Sequence, residues 1–173
     1  MPPRSIMAHH FHMLARYNVW ANARLLDAAA RMGEDYHAAT GAFFGSMHGT
    51  LNHILVADRI WMHRFTGEGP THDRLDAKPY GDLEGMRLAR ENEDRRILDW
   101  AGTLDDAALT GTFTYARVSE PGAPITQRLA PALTHLFNHQ THHRGQAHAI
   151  LTTLGHEAPA MDLVFFSREA AGA

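Results

Sequence analysis

The sequence predicts an all-α protein, an antiparallel-type four-helix bundle with a short β-hairpin or extended connection before the last long helix. Four segments carry apolar residues at helical spacing, and most of the glycine and proline falls between them. One stretch alone alternates apolar and polar residues in the manner of a strand.

The first helix is expected from about Ile6 to Met32, capped by Ser5 and stopped by Gly33, with Phe11, Leu14, Trp20, Leu25 and Ala29 among its apolar positions. The second runs from about Ser46 to Thr66, where Leu51, Ile54, Leu55 and Trp61 mark a buried face and "TGEGP" ends the pattern. "THDRLDAKPYG" reads as a loop. Asp82 then caps a third helix to about Ala101, with Leu83, Met86, Ala89, Ile97 and Leu98 inward. Its "RENEDRR" run mixes both charge signs and reads as a solvated outer face. Residues 110–127 form a hairpin folded around "EPGAP". The fourth helix starts near Pro131, a residue suited to a first turn, and reaches Leu154 before Gly155. The tail "MDLVFFSREAAGA" holds a short apolar helix or extended segment with a frayed end.

A chain of 173 residues suits one domain, here residues 1–173, and 45% hydrophobic with 20% charged content is that of an ordered globular protein. The net charge is −3 and the 16 Lys plus Arg are scattered, so nucleic-acid binding has no electrostatic footprint. The apolar stretch "ILVAD" meets Asp58 and Arg59 far short of the ~20 residues of a membrane span. "MPPRSIMAHHFH" has no signal-peptide apolar segment, and a cytoplasmic location is expected. There is no cysteine. Any metal must therefore be held by imidazole or oxygen, and any thiol chemistry must use a small-molecule thiol.

The 14 histidines stand out. "NHQTHHRGQ", residues 138 to 146, puts three histidines into nine helical positions. At ~100° per residue His135, His139 and His143 share one stripe. Chance alone supplies ~1 pair at i,i+4 spacing in a chain of this histidine content, so packing within a polar part of the core competes with metal binding. His53, inside "TLNHIL", tightens the case: it lies beside buried positions of the second helix, where an unpaired imidazole is costly and a metal would satisfy it. Gln140 stands where the zinc-protease helix signature has its glutamate, and an amide cannot accept a proton from metal-bound water. No Asp or Glu occurs from Pro131 to Gly155. A zinc-protease mechanism is disfavoured. Three neutral imidazoles would leave a divalent ion's charge uncompensated and a coordination position open, a Lewis acid able to ready a hydroxide or a thiolate. Trp20, Trp61 and Trp100 read as core or interface aromatics, and the histidines of "AHHFH" as surface positions.

"TLNHILVADRIW" (residues 50 to 61) and "HLFNHQTHHRGQAHAIL" (residues 135 to 151) resemble the DinB/YfiT-like family of metal-binding four-helix bundles. "ARYNVWANARLL" and "LGHEAPAMDLVFF" extend the resemblance over nearly the whole chain. It implies up-down-down-up connectivity, a homodimer, and one divalent metal per subunit on His53, His139 and His143. His142 would point away from the ion, with Arg144 and Gln146 in supporting roles, while His135 either lines the pocket or fills the core. The wider superfamily includes low-molecular-weight-thiol S-transferases and a thiol-dependent maleylpyruvate isomerase. The expectation is a metal-dependent enzyme that transfers a small-molecule thiol to a small-molecule substrate, with zinc or nickel ahead of iron or manganese. The alternatives are a metal-dependent hydrolase, drawing a base from Glu157 or Asp162, and a non-catalytic, stress-associated metal-binding protein.

Overall fold

Ser5 accepts a hydrogen bond from the Ala8 amide at 3.2 Å and starts α1 (Ile6–Ala30) at the expected cap. The structure, a computed structural model, describes residues 5–172, so the reading of the N-terminal "MPPRSIMAHHFH" lies partly outside the described residues. α1 ends slightly before Met32, and a 3₁₀ turn over Gly33–His37 follows, Gly33 taking the left-handed φ of 56° that lets the chain break direction. α2 (Met47–Thr66) begins where the Ser46 side chain accepts from the Gly49 amide at 3.0 Å. It stops at Gly67, whose φ is 73° and whose N–H bonds the His63 carbonyl. Asp82 caps α3 (Leu83–Ala101) through the Gly85 amide at 2.7 Å.

A five-residue helix, α4 (Asp106–Thr110), capped by Asp105, precedes the hairpin and was not anticipated. The hairpin is present, as β1 (Thr112–Arg117) and β2 (Glu120–Arg128) in antiparallel register, but it turns at 118–119 and not at "EPGAP". Pro121 and Pro124 lie within β2. A two-stranded ribbon tolerates this because each strand has an unpaired edge, where a missing N–H costs no ladder bond. The Leu129 amide bonds the Gly111 carbonyl at 3.0 Å and joins the hairpin base to α5 (Leu129–Thr153). The tail forms α6 (Leu163–Ala171), which buries Phe166 against Tyr17 and Trp20.

Two apolar clusters give the helix directions. One joins Leu25 and Ala29 late in α1, Met47 and Leu51 early in α2, Met86 and Ala89 early in α3, and Ile150 and Leu151 late in α5. The other joins Ala8 and Phe11 early in α1, Met62 late in α2, Ile97 and Ala101 late in α3, and Leu133 and Leu136 early in α5. α1 and α5 therefore run one way, and α2 and α3 the other. The bundle is up-down-down-up, and the connection between α2 and α3 returns along its length. No helix among the described residues is long and apolar enough to cross a membrane.

Between the clusters lies a polar layer. Asn18 and Asn22 of α1, Asp58 of α2, Arg90 and Asp94 of α3, and Gln140 and Arg144 of α5 are all buried. Arg90 pairs with Asp58 and, at 2.9 Å, with Asp94; the amides of Asn18 and Asn22 donate to Asp94 at 2.9 and 3.0 Å, and Arg144 donates to Asn18. The solvated reading of "RENEDRR" is corrected here: Arg90, Glu93 and Asp94 of that run face inward, because α1 and α2 supply partners that add to the Arg90–Asp94 pair within α3. Burial raises the Asp94 carboxyl to about 6 against the pull of Arg90.

Candidate metal centre

α5 carries His135, His139 and His143 at successive turns, and α2 brings His53 up to the last two. Ring centroids lie 5.1 Å apart for His53 and His139, 4.5 Å for His53 and His143, and 4.3 Å for His139 and His143. One ligand atom from each lies within 4.8 Å of the other two, and among the described residues no other group of histidine, cysteine or acidic side chains is arranged to hold an ion. His53 and His143 are buried and His139 is half-buried. Of the "AHHFH" histidines, His9 and His10 are exposed and His12 is half-buried.

Hydrogen bonds fix which nitrogens face inward. The Leu75 carbonyl, from the long connection, lies 2.9 Å from His53 Nδ1 and can only accept, so that nitrogen carries the proton and Nε2 presents its lone pair. Gln146 Oε1 lies 2.8 Å from His143 Nδ1 with the same effect, while Gln146 Nε2 faces His142 Nε2 at 3.3 Å. His53 Nε2 and His139 Nε2 stand 3.3 Å apart. Two imidazole nitrogens on one tetrahedral ion, each bonded at about 2.0–2.1 Å, would be separated by ~3.3 Å, so the spacing fits a shared cation. The Phe44 ring stacks on His53 at 3.7 Å and meets His143 edge-on at 5.5 Å. It covers the apolar side of the pair.

Burial keeps protons off these rings. It lowers His53 to about 4, with the Leu75 carbonyl opposing and His143 adding to the shift. His139 falls to about 3, first through burial and then through the surrounding histidines. His143 is lowered by burial against the hydrogen bond to Gln146. Near pH 7 the three rings are neutral donors, the state a metal requires.

Two cavities meet at the triad. The inner one, about 280 Å³, lies between α2, α5 and the hairpin and touches His53 and His139. The outer groove, about 640 Å³, touches His53 and His143. Leu75 and the hairpin tip at Val118 and Ser119 border both. A sequence comparison shows what this arrangement belongs to: the family model described as "DinB family" matches residues 7–172. The chain belongs to the DinB family. Protein DinB of Bacillus subtilis (strain 168) is 23% identical over 160 residues, covering 86% of this chain and 88% of that relative.

Within this DinB-family bundle the other histidine expectations separate. His135 is exposed and lines the inner cavity, its ring 5.8 Å from His139 and 5.0 Å from Trp61, so it belongs to the pocket wall and not to the core. His142 is exposed on the outer groove. Gln146 holds His143, whereas Arg144 is drawn into the polar layer. Gln140 is fully buried beside Asp58 and borders neither cavity. Glu157 is exposed beyond α5 and Asp162 precedes α6; neither lines the cavities at the triad. Sequence reasoning missed Phe44, Leu75, Arg64, Tyr115 and Asp73, all of which border the site. Arg64 had a local signal in its i,i+3 spacing from Trp61; the others arrive from remote segments.

Proposed function

We propose that this DinB-family protein is a metal-dependent enzyme in which His53, His139 and His143 hold one divalent ion, zinc or nickel first, and which transfers a small-molecule thiol to an electrophile. The convergence of three neutral imidazoles, without a carboxylate among them, at the junction of two cavities carries this reading. A divalent ion bound there would hold an incoming thiol as its thiolate at neutral pH. The chain's own residues prepare the place. Leu75 and Gln146 select the tautomers, Phe44 restrains the His53 ring, and burial excludes competing protons. In the net reaction sulfur bonds to the electrophilic carbon: an aryl halide expels its halide with the bonding electrons and the thiol proton goes to solvent, whereas an epoxide or an enone loses no group and gains a proton at the ring oxygen or the α-carbon.

A hydrolytic reading gains a different base from the one expected, since Asp73 lies on the outer groove. Thiol transfer needs no such acceptor. The test compares wild type with His53→Ala, tag-free. Near one equivalent of metal in wild type and near none in the variant, with metal-dependent conjugation of glutathione, bacillithiol or mycothiol to an epoxide, an enone or an aryl halide, is the expected result. Metal without turnover for any thiol returns the site to hydrolysis or to a non-catalytic binding role. Equal metal in both proteins removes the centre itself.

A further inference from the structure

The inner cavity carries information about the substrate. Its wall contains two arginines and no carboxylate. Arg117 is exposed and lies 3.4 Å from Glu120, so its charge is answered. Arg64 is different. It is half-buried, and its guanidinium carbon lies 4.6 Å from the Trp61 ring centroid and 4.5 Å from that of Tyr115. One guanidinium nitrogen donates to the Ala116 carbonyl at 3.3 Å, and no carboxylate among the described residues pairs with it. Arg59, Arg90 and Arg96, also withdrawn from solvent, each reach one, and the buried Arg144, without a direct ion pair, lies in the field of Asp58 and Asp94 and donates to Asn18, Asn22 and Thr141.

A partly desolvated cation without a counter-charge is costly, and burial lowers the Arg64 pKa accordingly. The two aromatic rings hold the guanidinium in place while leaving donors free, an arrangement matched to the two oxygens of a carboxylate. From Arg64 the wall leads back to the triad through ring contacts of Trp61 with His135 and His135 with His139.

We infer that the inner cavity receives a small organic carboxylate, whose charge Arg64 binds while its reacting carbon is directed to the histidine triad. This deepens the enzyme reading above and rests on it for the reaction, but not for the binding of the anion. A volume of about 280 Å³ sets the scale at a benzoate-sized acid.

The experiment uses metal-free full-length protein, so that no anion can ligate an ion. Benzoate and succinate are titrated calorimetrically against wild type, with benzamide and succinamide as uncharged counterparts. At least one acid binds about tenfold or more tightly than its amide, as a charge-assisted pair predicts, and Arg64→Gln abolishes that preference while helicity and metal uptake by the reloaded variant stay as in wild type. Should Arg64→Gln lose helicity, Arg64→Lys is read instead, with a retained but several-fold smaller preference. No preference in wild type, or an unchanged one in the readable variant, overturns the inference. Anion preference in a protein that takes up no metal would sink the transferase reading and leave this one standing.

Discussion

At His53 burial and hydrogen bonding act on one ring in opposite directions, and burial dominates, setting the folded value at about 4 against an ordinary 6.5. His139 goes further, to about 3. Each group is more readily protonated in the unfolded chain than in the folded one. The stability this contributes is complete above pH 6.5 and is lost as pH falls toward the folded values. Asp94, its carboxyl raised to about 6, acts in the opposite direction, so the expected signature is a difference: from pH 7 to pH 4.5 the urea midpoint of metal-free protein falls more, or rises less, than that of His53→Gln. Parallel profiles would show that another group controls the acid limb. His139 and His143 were legible because imidazoles one turn apart share a helix face, and His53 because it lies beside buried positions of α2, where an unpaired imidazole is costly. The carbonyl of Leu75 was not legible, since its position depends on how a 16-residue connection returns along the bundle.

The start of α2 links local helix chemistry to the site. Ser5 and Asp82 were legible as caps, because a side-chain oxygen, an amide three residues on and an apolar pattern form a local signature; Ser46 was read only as the start of the second helix, and its side chain caps α2 in the same way. The sequence does not reveal why Gly49 occupies the first turn: a Cβ there would overlap the Phe44 carbonyl oxygen. Phe44 in turn stacks on His53. Gly49→Ala should displace that loop and lower stability by ~1–3 kcal/mol, the usual range for overpacking, while weakening metal uptake. Denaturation and metal titration of the variant check both effects. An unaltered affinity would mean that the Phe44 stack does not position the ring. The turn of the hairpin escaped for a different reason. Pro121 and Pro124 signal a break only where both strand edges must donate, and a two-stranded ribbon relaxes that demand.

Across the whole molecule, four apolar stripes made the bundle legible, and the family resemblance supplied its connectivity. The polar layer was hidden because a mixed-charge run has the same composition on a solvent face and in a paired interior. Asp58 breaking an apolar stretch, and Asn18 and Asn22 one turn apart, belong to the same layer. Arg90 sits between two buried carboxylates, so Arg90→Met leaves Asp58 and Asp94 facing each other without their shared cation. Removing one partner of a buried charge group costs ~3–5 kcal/mol. Neutralising both acids removes the repulsion that dominates in the single variant. Arg90→Met combined with Asp58→Asn and Asp94→Asn should therefore be more stable than the sum of the three separate losses implies. The single Arg90→Met variant should also gain stability as pH falls from 7 to 5 relative to wild type. Its Asp94 loses the pull that opposed burial, and a carboxyl held above its unfolded value of 3.8 favours the folded state on protonation. Urea denaturation of the four variants at both pH values reads these effects together. Additive losses with no pH effect would mean that the helices hold the layer apart without electrostatic coupling, and that the bundle's two apolar clusters alone set its stability.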